Sequence, residues 1–239
     1  MRAGRNAPSA LENAAAHLRS GVAPTRRGRD SLPDLRSKER ALLRDWAEGH
    51  DCLLGKDPTL TLDRRKSHGE HTVGFDPNSG HWWKITHPGK AGIGAEFDYE
   101  MLPPFSIIGI FARELLPSEY LARMILHNRE FGDDIRFEGY LDLSEPSLVI
   151  SQPDIDGSPA TADQMSAQMQ KLDYLPLGAL QIGKKSSISF YQPDRRIAMF
   201  DAHPGNFFHA NGLTIPVDGI VAEITADAEH DWLLQRAAF

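Results

Sequence analysis

The chain has 239 residues, 41% hydrophobic and 25% charged, which argues against wholesale disorder and allows one large domain or a two-lobed one with a sizeable core. A single cysteine, Cys52, excludes an intrachain disulfide and a Cys-rich zinc site and suits a reducing cytoplasm; the best apolar run, around Phe105 to Phe111, falls far short of a membrane span. The net charge of −7 is uneven: residues 1–50 hold ten Lys and Arg against six Asp and Glu, the remainder sixteen against twenty-seven, so the acidic body is a poor binder of nucleic acid.

Residues 1–36, rich in Ala, Arg, Ser, Gly and Pro, show no sustained apolar period and read as a flexible basic leader, or as a linker within a longer polypeptide. Such a leader is either a solvated arm or a contact for nucleic acid or an acidic partner. Residues 37–48 predict a helix with Leu42, Leu43, Trp46 and Ala47 on one face, Ser37 as its cap and Gly49 at its end. Residues 59–62 predict a strand, and 72–75 and 82–86 a hairpin turning through Asp76-Pro77-Asn78-Ser79-Gly80.

Lys84 lies inside the second strand of that hairpin, among aromatic and apolar neighbours, where a lysine needs a reason to be. Either it runs its stem along an edge strand to water or it grips nucleotide phosphates. Gly69-Glu70-His71, between the first two expected strands, is the candidate loop over a nucleotide. The stretch from His87 to Gly94 matches neither phosphate-loop pattern and reads as a mobile connection.

Residues 118–131 predict a helix capped by Ser118, with Tyr120, Leu121, Met124, Ile125, Asn128 and Phe131 recurring at helical spacing. Two strands follow, 135–141 and 148–151, and then a link punctuated by Pro and Gly from Gln152 through Ile155 to Gly157. Thr161-Ala162-Asp163-Gln164 is a capping box opening a helix with Met165, Met169 and Leu172 inward. Strands at 186–191 and 196–200 lead to Asp201, a hairpin over 207–224 turns at Asn211-Gly212, and an amphipathic segment runs from Trp232 to Phe239.

Asp201-Ala202-His203-Pro204-Gly205-Asn206 carries the chemistry. Pro204-Gly205 forces a turn, so an acid and an amide five residues apart point into one small space, and Asp218 follows twelve residues later. Phosphoryl transfer uses such a set: one carboxylate for the proton of the attacking hydroxyl, and an amide oxygen with a second carboxylate for Mg²⁺. The plain alternative is a turn that Asp201 caps and in which Asn206 takes a left-handed conformation.

The Asp-x-His-Pro-Gly-Asn form resembles the catalytic loop of aminoglycoside phosphotransferases and related small-molecule kinases. Taken in order, Gly69–Val73, Trp82–Thr86, Tyr120–Gly139, Val149–Gly157, Phe200–Asn206 and Ile215–Ile220 resemble the kinase domain of polyvalent proteins, large multi-domain polypeptides of bacterial and phage mobile elements. The resemblance implies an α+β, two-lobed, protein-kinase-like fold: leader 1–36, a helix and small β-rich N-lobe over 37–151, and a hinge with a reduced C-lobe over 152–239. It implies that Asp201 is the catalytic carboxylate, that Lys84 and the Gly69-Glu70-His71 loop hold the phosphates of ATP, and that Asn206 and Asp218 bind Mg²⁺. It also implies that Gln152 and Ile155 lie in a hinge against the adenine and that a helix glutamate, Glu119 or Glu130, pairs with Lys84. No G-x-G-x-x-G loop is present, and only 21 residues follow Asp218, too few for the platform on which protein kinases bind peptides.

Three functions are therefore expected in order. First stands a cytoplasmic Mg-ATP-dependent phosphotransferase acting on a hydroxyl of a protein or a small molecule. Second stands a catalytically silent nucleotide-binding pseudokinase serving as an interaction module. A metal-dependent hydrolase using His68, His71, His203 or His209 stands third, because no metal-ligand spacing supports it.

Overall fold

The structure is a computed structural model and describes residues 9–21, 31–100, 106–178 and 180–237. The architecture is α+β and divides into two compact units. The first comprises residues up to Gly92, Glu114–Asn128 and Gly132–Asp154; the second comprises Ile93–Arg113, Arg129–Phe131 and Ile155–Phe239. The expected division at 151/152 thus falls three residues early, and residues 93–113, expected in the N-lobe, group with the second unit.

The first unit opens with α1 (Ala10–Gly21) and α2 (Leu32–Gly49). Helix α1 corrects the expectation of a flexible leader over 1–36. Leu11, Ala14, Ala15 and Leu18 recur at helical spacing and are buried, while Ser9 and Glu12 bond reciprocally across the first turn, Ser9 N to Glu12 Oε2 at 2.8 Å and Glu12 N to Ser9 Oγ at 3.3 Å. Half of that stripe is alanine, which favours helix strongly but carries little hydrophobic signal. The remainder of the expected leader, residues 1–8 and 22–30, lies outside the described residues. Helix α2 starts at a capping box between Ser31 and Asp34 with Pro33 in the first turn, not at Ser37.

After β1 (Leu53–Leu54), Pro58–Thr61 forms a 3-10 turn where a strand was expected. The Asp57 carboxylate accepts from Thr59 N at 2.7 Å and from Thr59 Oγ1 at 2.6 Å, and this local cap defeats the β-branched pattern. Strands β2 (Asp63–His68), β3 (His71–Asp76) and β4 (His81–Thr86) then form successive antiparallel hairpins. The segment after β4 is tied down rather than mobile: Gly89 N donates to Pro146 O at 2.9 Å, Thr86 Oγ1 donates to Lys90 O at 2.8 Å, and Ala91 is fully buried.

Helix α3 (Pro117–Phe131) is followed by β7 (Arg136–Leu141) and β8 (Ser147–Pro153), the pair expected from the sequence, except that β8 runs on through Gln152 and Pro153: Gln152, expected to open the link, is buried in the strand opposite Trp82. The six strands of this unit form one sheet in the order β1-β7-β8-β4-β3-β2, in which only β1 and β7 run parallel. Leu11 and Leu18 of α1, Leu43 and Trp46 of α2, and Tyr120 and Leu121 of α3 share one apolar cluster with Phe137 and Ile150 of the sheet.

In the second unit β5 (Ile93–Glu100) and β6 (Ser106–Glu114) make a two-stranded sheet. Strand β9 (Ser158–Pro159) precedes α4 (Ala162–Lys171), whose capping box and buried Met165 and Met169 agree with the sequence. Strands β10 (Leu175–Pro176), β11 (Ile188–Gln192), β12 (Ile197–Ala202) and β15 (Ile220–Glu223) form an antiparallel sheet; β13 (Phe207–Ala210) and β14 (Leu213–Pro216) make a hairpin beside β9 that turns where expected but ends at Pro216, short of 224, because β15 pairs with β12 instead. Helix α5 (Asp227–Ala237) ends the described chain and places Trp232 and Leu233 in a cluster with Tyr191, Phe200, Phe97 and Ile107. Among the described residues no helix is long and apolar enough to cross a membrane.

Candidate functional site

Strand β12 lies between β11 and β15, and its buried Ile197, Ala198, Met199 and Phe200 fix its end firmly in the core of the second unit. The backbone then turns at Asp201, which sits at φ 57°, a left-handed value uncommon outside glycine. His203 caps the 3-10 turn Pro204–Asn206, accepting from Gly205 N at 3.1 Å. This turn returns Asn206 to Asp201: Asn206 Nδ2 donates to Asp201 O at 2.9 Å and lies 3.4 Å from Asp201 Oδ2.

The hairpin that follows brings in the third residue. Asn211 and Gly212 take positive φ of 52° and 78°, as a tight hairpin turn requires, and Phe207 pairs with Pro216. The next amides therefore meet Asn206, whose carbonyl oxygen accepts from Val217 N at 2.9 Å and from Asp218 N at 3.4 Å. Asp218 Oδ1 accepts from Gly219 N at 2.9 Å. Asp201, Asn206 and Asp218, named from spacing alone, are thus laced into one loop cluster, all three half-buried.

The cluster suits a hard cation in one specific respect. With Asn206 Nδ2 spent on Asp201, the Oδ1 end of the amide is its acceptor end, the type of ligand Mg²⁺ takes alongside one or two carboxylates and phosphate oxygens. Among the described residues no group of three or more His, Cys, Asp or Glu is placed to hold a metal. Of the histidines weighed for hydrolysis, His71 Nε2 bonds Tyr120 OH at 2.8 Å, His209 Nδ1 bonds Thr214 Oγ1 at 3.0 Å and His203 forms its cap, while the His68 side chain lies outside what the structure describes.

The remaining candidates divide between the units. Ile155 belongs to the second; Lys84, Gly69, Glu70, His71, Glu119 and Gln152 belong to the first. Lys84 is half-buried on β4, opposite Val73 on one side and Ile150 on the other. Two residues away on the same face, Trp82 is opposite Gln152, whose Nε2 donates to Asp133 Oδ2. Burial pushes the Asp133 carboxyl above its ordinary range; the Asp134 amide, Gln152 and the Lys84 charge act in the opposite direction.

Gly69 and Glu70 form the turn between β2 and β3, and the Glu70 carboxylate meets the Arg123 guanidinium of α3. Glu119 Oε2 accepts from Leu116 N at 2.8 Å and so closes the first turn of α3. Ser118, the expected cap, donates from both N and Oγ to Glu39, at 2.8 Å each. Glu130, in the second unit, accepts from Tyr174 OH at 2.8 Å and lies 2.7 Å from Arg195 Nη1.

Three participants had no visible signal. Asp133 follows Gly132 and looks like a helix-ending turn; Arg123 looks like a solvated helix residue; the Lys184 amide reaches Asp201 Oδ1 at 2.6 Å across seventeen positions. Each acts through a long-range closure that local pattern does not encode. No protein-family model, curated protein or solved structure matches this chain.

Proposed function

We propose that this chain is a Mg-ATP-dependent phosphotransferase of two-lobed, protein-kinase-like fold, in which the first unit is the small lobe and the second a reduced catalytic lobe. The observation that carries it is the lacing of Asp201, Asn206 and Asp218 through the Asn206 amide and carbonyl. The order of elements supports the same reading: strand β4 bearing Lys84, then, after β5 and β6, helix α3, strands β7 and β8, a link over 154–157 and, after β9, α4, β10 and β11, strand β12 leading to the Asp201 loop.

In this reading Asp201 receives the proton of the acceptor hydroxyl as that oxygen attacks phosphorus and the electron pair departs with the ADP oxygen. Asn206 Oδ1 and Asp218 hold Mg²⁺, which when bound supplies neutralisation of the phosphate charge. Lys84 binds phosphate oxygens, the Gly69-Glu70 turn, with His71 at the start of β3, covers them, and the backbone at Gln152, near the end of β8, and at Ile155 bonds the adenine edge. The acceptor is a hydroxyl of a protein or small molecule, and a cytoplasmic setting accords with the single cysteine.

Calorimetry of Mg-ATP binding, wild type beside Asp218→Ala, tests the proposal, followed by labelled-ATP transfer with Asp201→Ala. Metal-dependent binding lost in Asp218→Ala, and transfer abolished in Asp201→Ala with ATP binding retained, are the expected results. Binding without transfer in the wild type would assign a silent nucleotide-binding module instead, and no binding at all would remove the nucleotide site.

A further inference from the structure

We infer that Gly183 is a positioning residue for Asp201: its missing side chain admits the Lys184 backbone amide to one carboxylate oxygen and thereby selects the other as the oxygen offered to the acceptor hydroxyl. This rests on the phosphotransfer reading of Asp201. Gly183 adopts φ 90°, and a Cβ built there would overlap Asp201 Cγ and Oδ1 and stand 2.6 Å from Asp201 Cβ. Into that space the Lys184 amide donates to Oδ1 at 2.6 Å, a charge-assisted bond to a carboxylate.

The bracket that brings the amide there is itself fixed. Ser187 N donates to Lys184 O at 3.0 Å, closing a tight turn in which Ser186 takes φ 75°, and Ser187 Oγ donates to Ile182 O at 3.1 Å. Ile182 is buried in the same cluster as Phe200, the residue before Asp201. Asp201 is consequently held at two atoms from two directions, its carbonyl by Asn206 Nδ2 and its Oδ1 by Lys184 N. The short bond from Lys184 N restrains Oδ1, while Oδ2 has only the long 3.4 Å contact from Asn206 Nδ2 and is the oxygen more readily offered. Holding a reacting group in place in this way matters because a misplacement of about 1 Å costs on the order of 100-fold in rate.

The test is turnover of labelled Mg-ATP, water standing for the acceptor, by wild type, Gly183→Ala and Gly183→Asn, with Mg-ATP affinity measured by calorimetry. Asn tolerates positive φ better than Ala but still carries the Cβ, so the pair separates backbone strain from collision with the carboxylate. Both variants are expected to lose kcat by about 100-fold while binding Mg-ATP within about twofold of wild type. A wild type that fails to turn over Mg-ATP overturns the phosphotransfer reading and this role with it; wild-type turnover matched by a folded variant overturns the role alone. Should neither variant fold, hydrogen exchange at the Lys184 amide decides. Faster exchange in Asp201→Asn than in wild type is expected, and equal protection would overturn the clamp.

Discussion

Arg123 of α3 and Glu70 of the β2–β3 turn form an ion pair in which the guanidinium is 2% exposed and the carboxylate 13%. The guanidinium also lies 5.4 Å from the centre of the Tyr120 ring, and Tyr120 OH bonds His71, the residue after Glu70. Helix and turn are therefore joined at two neighbouring points. Removing one partner strands a buried charge, whereas removing both does not. Arg123→Met and Glu70→Gln should each cost about 3–5 kcal/mol in urea unfolding, and the double variant should cost less than the sum. Additive losses would mean that the pair is not coupled.

Glu39 contributes a pH dependence of opposite sign to that of most carboxylates. Burial in the first unit pushes it above the ordinary glutamate value of 4.5, although Ser118 donates two hydrogen bonds to it. A carboxyl with a raised folded-state pKa favours folding most below its unfolded value, and that contribution is lost as pH rises through the raised value. Stability of wild type relative to Glu39→Gln should therefore fall as pH climbs above about 4.5. Chemical denaturation of both proteins across that window reads the difference; parallel profiles would refute it.

Leu18 tests whether α1 belongs to the fold. It is fully buried in the cluster shared by α2, α3 and the sheet. Leu18→Ala should destabilise the protein by about 2–5 kcal/mol, the usual range for a buried leucine. An arm lying free in solvent would show no change in the unfolding midpoint.

Asn206 links two parts of the proposed site, so its replacement should do more than either contact alone suggests. Asn206→Ala removes the donor to Asp201 O together with the Oδ1 acceptor, while the backbone bonds to Val217 and Asp218 remain possible. Mg-ATP affinity should drop by at least about 10-fold and turnover by more, with the melting temperature moving little. Calorimetry and labelled-ATP turnover read the two effects separately. Unchanged metal dependence would take Asn206 out of the metal shell.

The sequence exposed those features whose causes are local. The hairpin from His71 to Thr86 follows from two apolar runs around a turn rich in Asp, Pro, Asn and Gly, and the Asn211-Gly212 turn from its need for positive φ. The Asp201–Asn206 loop was legible because its turn is made by Pro204 and Gly205 within the loop itself. Helix α1 was obscured by alanines, whose burial yields little contrast, and residues 58–61 by the Asp57 side chain, which captures the Thr59 amide. Strand β5 did carry a local signal, Ile93, Ala95, Phe97 and Tyr99 alternating with Gly94, Glu96, Asp98 and Glu100, which the expectation of a mobile connection up to Gly94 passed over. Asp133 and Gly183 act on residues far away in the chain, and only three dimensions reveal that.

The strand order of the first unit also bears on how the protein is made. Strand β8 is the last of the six to be synthesised, yet it stands between β7 and β4 and pairs with both. Until Pro153 has emerged from the ribosome, β4 of the β2–β3–β4 meander and β7 each present a row of unsatisfied amides and carbonyls, the kind of surface through which nascent chains associate wrongly. The β5–β6 excursion, which groups with the second unit, lengthens that exposed interval by delaying β7 and β8. Polypeptides ending before Ser147 should consequently be recovered in the insoluble fraction or with chaperones, and those extending past Pro153 should be the first in which the sheet can close.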